Sequence, residues 1–334
     1  MSVCCATVVS AASRSCGKSI SRSGGPDPVA ISDDVAVGQG GAKSILPAAY
    51  AAAAFAILIW GGTPAATKFV VMGIDPVSAG VLRTILAGTI VLPFAIARRM
   101  ALPGSLREWG LLGLMVLGVF VIFPLFFSFG VKQTSTAHAA LINAAIPIFT
   151  GLFGAIAERR IPGRLWTIGV AVAFAGVTML IGVRGDGGDG VTLWGDLLCL
   201  LSSIGSGLGY VAGARLSMKI GSQAATFWGL SLAALVLLPV LIIFHGDTDW
   251  ARVPMSSYAA VAYQATCSSI FAFLAWYWAL SKGGIVRMAP VQFSMPIISL
   301  TLAVLLFGET LSVPLLLSGV VIVAGIAISQ RRKS

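Results

Sequence analysis

Residues 134–157 read TSTAHAALINAAIPIFTGLFGAIA, a run of 24 positions without one Asp, Glu, Lys or Arg. At 1.5 Å rise per residue, a helix of that length covers the ~30 Å hydrocarbon core of a bilayer. The run also has a second copy. A shift of 149 residues lays it on 283–306, GGIVRMAPVQFSMPIISLTLAVLL, so that Pro147 falls on Pro296, Asn143 on Gln292 and His138 on Arg287. Outward from there, the same shift pairs Phe129 with Trp278 and Gly176 with Gly325. A shift of 146 pairs Leu86-Ala87 with Leu232-Ala233 and Leu92-Pro93 with Leu238-Pro239.

Nine more apolar runs, each with at most one charged residue, give ten expected spans at about 46–71, 76–97, 109–130, 134–157, 163–183, 192–214, 222–245, 256–281, 284–307 and 311–329. With 57% hydrophobic and 10% charged residues, the chain lies well outside the balance of a soluble domain. Short loops leave no room for strand crossovers, so the expected fold is an all-α membrane bundle. Five spans per copy is an odd number, so the second copy enters from the opposite face. The halves, 45–183 and 192–330 about a linker at 184–191, are therefore read as inverted repeats, the arrangement used for alternating access.

Basic residues gather in alternate loops. Arg98, Arg99, Arg107, Arg159, Arg160, Arg164, Arg215, Lys219 and Lys282 share one side with the basic C-terminus at 331–334, against Lys132, Arg184 and Arg252 on the other. The positive-inside rule then puts both termini in the cytoplasm of a bacterial-type inner membrane. The net charge of +10 reflects this topology and does not call for nucleic acid. Residues 1–44, rich in Ser, Ala and Gly, are expected to be a disordered tail. Cys4, Cys5 and Cys16 lie in that tail, Cys199 and Cys267 in spans, and with two histidines there is no metal-ligand spacing. No cofactor is expected. Nucleophile-elbow, phosphate-loop and His-Glu-x-x-His motifs are lacking, which argues against an enzyme or a self-contained ATP-driven pump.

The candidate functional residues are the polar and helix-breaking ones. Trp60-Gly61-Gly62-Thr63-Pro64 interrupts the first span and frees carbonyls, either to line a cavity or to be re-satisfied by neighbouring helices. Arg83 lies about eight residues, or ~12 Å, into the second span, at an insertion cost of ~2.5–3.5 kcal/mol that a substrate carboxylate or a structural partner must offset. Lys68 and Arg287 are nearer span ends, where they can snorkel.

Asn143 and Gln292 precede Pro147 and Pro296, whose rings bend their helices and open room at the amides. His138 and the aromatics Phe126, Phe127, Phe129, Trp276, Tyr277 and Trp278 complete the set, the aromatics serving as packing or as stacking surfaces for a flat substrate. From these residues we expect a substrate site of Trp60, Arg83, His138, Asn143, Trp276 and Gln292. Apart from Glu158 and Glu309 at helix ends, no carboxylate is expected inside a span. Gly205, Gly209 and Gly213 recur every fourth residue, a close-packing signal for another helix of the chain or for a second protomer in a homodimer.

Together these residues resemble the EamA family of the drug/metabolite transporter superfamily. The resemblance covers residues 45–330 and rests on Trp60-Gly61 followed by Lys68 and on Asp75-Pro76 leading to Arg83. It also rests on Pro296 followed by Gly308-Glu309-Thr310-Leu311, then Gly319 and Gly325. It implies a ten-helix bundle with a central cavity, exporting or exchanging amino acids, related metabolites or toxic compounds without ATP hydrolysis. Small-molecule substrate and membrane lipids are then the expected partners, and a non-transporting membrane scaffold or sensor is the alternative. One departure is internal: Pro147 precedes Glu158 by eleven residues and Pro296 precedes Glu309 by thirteen, so Arg160 occupies the place of Glu309.

Overall fold

A computed structural model of the protein describes residues 39–158, 163–182, 191–244, 246, 248–283 and 289–330. Contacts divide the chain into Met1–Gly40 and Gly41–Ser334, and the helices that matter here belong to the second unit. Residues 1–38 with Cys4, Cys5 and Cys16, the basic residues Arg159, Arg160, Arg184 and Arg287, positions 184–190 of the linker, and 331–334 all lie outside the described residues.

Among the described residues the protein is helical throughout. The α-helices are α1 (Gln39–Gly61), α2 (Thr63–Gly73), α3 (Pro76–Ala97), α4 (Leu106–Met115), α5 (Phe123–Gln133), α6 (Thr136–Asn143) and α7 (Ile146–Glu158). They continue as α8 (Arg164–Gly182), α9 (Leu193–Ile220), α10 (Ser222–Ile243), α11 (Met255–Tyr263), α12 (Ala272–Gly283), α13 (Met295–Phe307) and α14 (Val313–Gln330). A π-helical stretch, Val116–Ile122, joins α4 to α5, and a second, Gln264–Phe271, joins α11 to α12. Seven of the resulting helical runs are long and apolar enough to cross a membrane, and three shorter apolar helices accompany them. Large apolar side chains such as Leu58, Leu235, Ile243 and Leu305 face outward, a surface suited to lipid.

Helix α1 begins at Gln39, because a Gly- and Ala-rich start can be carried into a helix by the apolar residues that follow it. Local signals set the other helix starts. Asp75 caps α3, accepting from Ser78 N–H at 3.0 Å, with Pro76 in the first turn. Ser105, Ser135 and Thr192 do the same for α4, α6 and α9.

Corresponding helices of the two sequence copies pack on each other. Helix α3 meets α10, where a Cβ on Gly88 would strike the Leu230 carbonyl. Helix α8 meets α14, where Gly169, Gly176 and Gly325 bring backbone against backbone. Two apolar clusters fill the bundle. One centres on Ile57, Leu112, Phe120, Leu216 and Leu230, the other on Val70, Phe127, Leu141, Ala303 and Ile322.

Candidate functional site

The interruption read at residues 60–64 is a helix junction. Helix α1 ends at Gly61, Gly62 N–H bonds back to Ile59 O at 3.0 Å in a tightened turn, and α2 resumes at Thr63 with Pro64 in its first turn. The carbonyls freed there are taken: Gly61 O accepts from Ser299 Oγ at 2.7 Å and Ile59 O from Tyr263 OH. Neighbouring side chains thus re-satisfy the break. Neither glycine has space for a Cβ, since Ile298 and Tyr263 stand against them.

Around the junction the side chains are polar and aromatic. Trp60 Nε1 donates to Ser268 O at 3.0 Å, and Thr63 Oγ1 lies 3.2 Å from Ser268 Oγ. The Trp60 ring stacks on Tyr210 at 5.9 Å and meets Phe273 and Trp276 edge-on at 5.0 and 5.7 Å. Arg83, 5% exposed, donates from Nη2 to Ser268 Oγ at 3.2 Å and Ser269 Oγ at 3.4 Å, and its guanidinium lies 5.7 Å from the Phe123 ring centroid. No ion pair joins it to a carboxylate among the described residues. A buried cation is therefore held by neutral oxygens and a ring face.

These groups wall a cavity with about 580 Å³ of empty volume, its mouth included. Of the residues expected from the sequence, Trp60, Arg83, Asn143, Gln292 and Pro147 line it. Helix α6 stops at Asn143, just before Pro147, and a 3₁₀ stretch, Ala289–Ser294, precedes Pro296. Asn143 Oδ1 accepts from Ser203 Oγ of α9 at 3.1 Å.

His138 and Trp276 do not line the cavity. Trp276 is packed behind Trp60, and its Nε1 has no hydrogen-bond partner among the described residues. His138 Nδ1 lies 3.1 Å from Asp196 Oδ2, and Thr134 Oγ1 donates to Asp196 Oδ1 at 2.6 Å, all three residues buried. The expectation that no carboxylate but Glu158 and Glu309 lies in a span is thereby corrected. Asp196 is in the first turn of α9, where its carboxyl group faces the Thr134 hydroxyl and the His138 ring at the amide end of the helix.

The glycine stripe of α9 is occupied from within the chain. Gly205 and Gly209 bring α9 onto Gly118, Val119 and Ile122 of the first π-helical stretch, and Gly213 faces Tyr277 and Met115. Several cavity residues escaped the sequence reading. Tyr210 sits between two of those packing glycines, and Ser206 and Ser268, with Ser269 behind the wall against Arg83, carry hydroxyls too small to stand out in an apolar run. A signal existed for the serines: Ser268-Ser269 is a polar pair in mid-span.

A helical bundle with an apolar outer surface and a polar and aromatic cavity within it defines the class, a multi-pass membrane protein. The EamA-like transporter family model matches residues 47–182 and again 193–330, and the chain belongs to that family. Among its relatives, the uncharacterized transporter YdeK of Bacillus subtilis is 28% identical over 275 residues, 82% of this chain and 94% of the relative. The uncharacterized inner membrane transporter YedA of Escherichia coli K12 is 28% identical over 283 residues, 81% of this chain and 87% of the relative. A solved crystal structure aligns with a TM-score of 0.58 at 20% identity, over 84% of this chain and 96% of that one, a likeness of fold.

Proposed function

We propose that this protein carries a small anionic or zwitterionic metabolite, an amino acid or a related compound, through the cavity by alternating access, as an exporter or exchanger. In this reading the three shorter apolar helices also span, which makes ten, and the halves are inverted repeats that both contribute walls to the cavity. The double match of one family model supports two repeats, and the packing of α3 on α10 and of α8 on α14 supports a two-fold relation between them. Both termini are cytoplasmic by the bias of basic loops.

The observation that carries the substrate class is Arg83. It is a buried cation on the cavity wall, lacks a carboxylate partner among the described residues, and shares the wall with the amides of Asn143 and Gln292. A substrate carboxylate supplies the missing countercharge. The scaffold alternative relied on the α9 glycines as a docking stripe, and residues of the same chain already fill that face.

Protein reconstituted in liposomes and preloaded with one unlabelled amino acid or carboxylic acid at a time should accumulate the labelled form by counterflow. Absence of counterflow across a broad panel, with the protein shown to be folded, sinks the reading.

A further inference from the structure

The cavity separates two groups of helices, each tied together by its own hydrogen bonds. In one, α1, α2, the α11–α12 run and α13 are joined by Trp60 and Thr63 to Ser268, Gln264 to Thr67, Ser257 to Phe69 O, Tyr263 to Ile59 O and Ser299 to Gly61 O. In the other, α5 and α6 are joined to α9. Thr192 Oγ1 donates to Gln133 O at 2.8 Å, Thr134 and His138 engage Asp196, and Ser203 engages Asn143.

Among the described residues, only two side chains make hydrogen bonds from the first group, with the α13–α14 turn, to the α5–α6 unit. Lys68 Nζ donates to Val131 O and Thr134 O at 3.4 and 3.3 Å, at the carbonyl end of α5. Glu309 accepts the backbone N–H of Thr136 and Ala137 at 2.8 and 2.9 Å, one on each carboxylate oxygen, at the amide end of α6. A cation thus sits on the last carbonyls of one helix and an anion on the first amides of the next, each complementing the local dipole.

We propose that Lys68 and Glu309 form a gate clamp on the α5–α6 turn, which holds the two helix groups together at this end and releases when the cavity opens there. Two features favour release over permanent structure. Both side chains are only half-buried, so water can replace the contacts they lose. Beneath them the groups meet through apolar contacts such as those of Val70, Val131, Leu141 and Ala303, which are not directional and tolerate sliding. Of the α5–α6–α9 bonds, by contrast, all but the exposed Thr192–Gln133 bond are buried, among them the His138–Asp196 pair, so that group moves as a body.

The clamp gives alternating access a closing device, but its test needs no transported solute and so stands apart from the substrate reading. A cysteine at Ser206, on the cavity wall, is placed in a full-length background with Cys4, Cys5, Cys16, Cys199 and Cys267 replaced by Ala. Sealed vesicles of known orientation then receive a membrane-impermeant methanethiosulfonate from one side or the other. Glu309→Gln and Lys68→Gln should each raise the labelling rate from the Glu309 side about tenfold, equivalent to ~1.4 kcal/mol, and leave the opposite side unchanged. Melting temperature is measured alongside, and if Glu309→Gln does not fold, Lys68→Gln reads the same rate. Unchanged rates in both variants, an equal rise from both sides, or failure of both to fold would overturn the gate.

Discussion

Replacing Arg83 by Gln separates a ligand-binding arginine from a structural one, because the two roles move stability and transport differently. As a structural group, Arg83 contributes two charge-assisted hydrogen bonds at 3.2 and 3.4 Å and one ring contact at 5.7 Å. At those long distances the bonds are worth ~1.5 kcal/mol each and the ring ~0.5–1 kcal/mol. Against this stands the ~2.5–3.5 kcal/mol that a buried guanidinium costs in a membrane span, which the neutral amide avoids. The two sides nearly cancel, so Arg83→Gln should shift folding stability by no more than ~1.5 kcal/mol and the melting temperature by no more than about 5 °C. For a carboxylate substrate the effect is much larger. Truncating one partner of a buried charge pair costs ~2–5 kcal/mol, a weakening of about 30- to 4000-fold. Melting can be followed by intrinsic fluorescence from the eight tryptophans, and binding by the concentration dependence of counterflow in liposomes. A variant that melts more than about 5 °C lower while keeping its apparent affinity would refute the reasoning and leave Arg83 a structural residue.

Two further outcomes follow from buried or capping carboxylates. His138→Leu or Asp196→Leu alone should destabilise by ~3–5 kcal/mol, because each removes one side of a buried polar pair, leaving His138 without Asp196 or Asp196 with Thr134 alone, while the double variant recovers a large part of that loss; chemical denaturation over the full mutant cycle measures the coupling. Asp75 lies between spans, and although burial raises its pKa, hydrogen bonds from the Ser78 side chain and backbone, from Thr248 and from the Val77 backbone hold it below the ordinary 3.8. A depressed carboxylate stabilises the fold above its unfolded pKa and loses that contribution as pH falls through the folded value. Asp75→Asn should therefore lower the melting temperature at neutral pH, with the difference from the native protein vanishing as pH is taken below about 4.

Span positions were legible because hydropathy alone dictates them: the expected 76–97 and 222–245 correspond to Pro76–Ala97 and Ser222–Ile243. Helix interruptions were legible for a similar reason, since glycine pairs and prolines act on the backbone wherever they fall. Which polar residues face the cavity was only half legible. Position along a span tells depth, and depth alone does not tell azimuth. His138 and Trp276 are at plausible depths yet turn to Asp196 and to the back of Trp60. Tyr210 is turned inward from between Gly209 and Gly213, where the small-residue spacing signalled packing and concealed a lining residue. Asp196 escaped because its charge lies one turn inside α9, where an acidic residue looks like a loop remnant until its partners on α5 and α6 are known.

The pattern of satisfied and unsatisfied groups around the cavity bears on which solutes it favours. In lipid, an interrupted helix must have its freed carbonyls met by protein or by a water-lined space. At the α1–α2 junction they are met by Ser299 and Tyr263, so this break does not present the ring of carbonyl acceptors that a cation site would need. Asn143 has its Oδ1 engaged by Ser203, which leaves the Nδ2 donors for another acceptor. Among the described residues the lining includes Arg83 and no Asp or Glu. Donors and one positive charge therefore dominate the polar part of the wall, and Trp60, Tyr210 and Phe273 the rest. On the transport reading proposed above, such a wall fits a solute with a carboxylate at one end and an apolar body at the other. It penalises an organic cation twice, by repulsion from Arg83 and by the absence of a carboxylate to receive it.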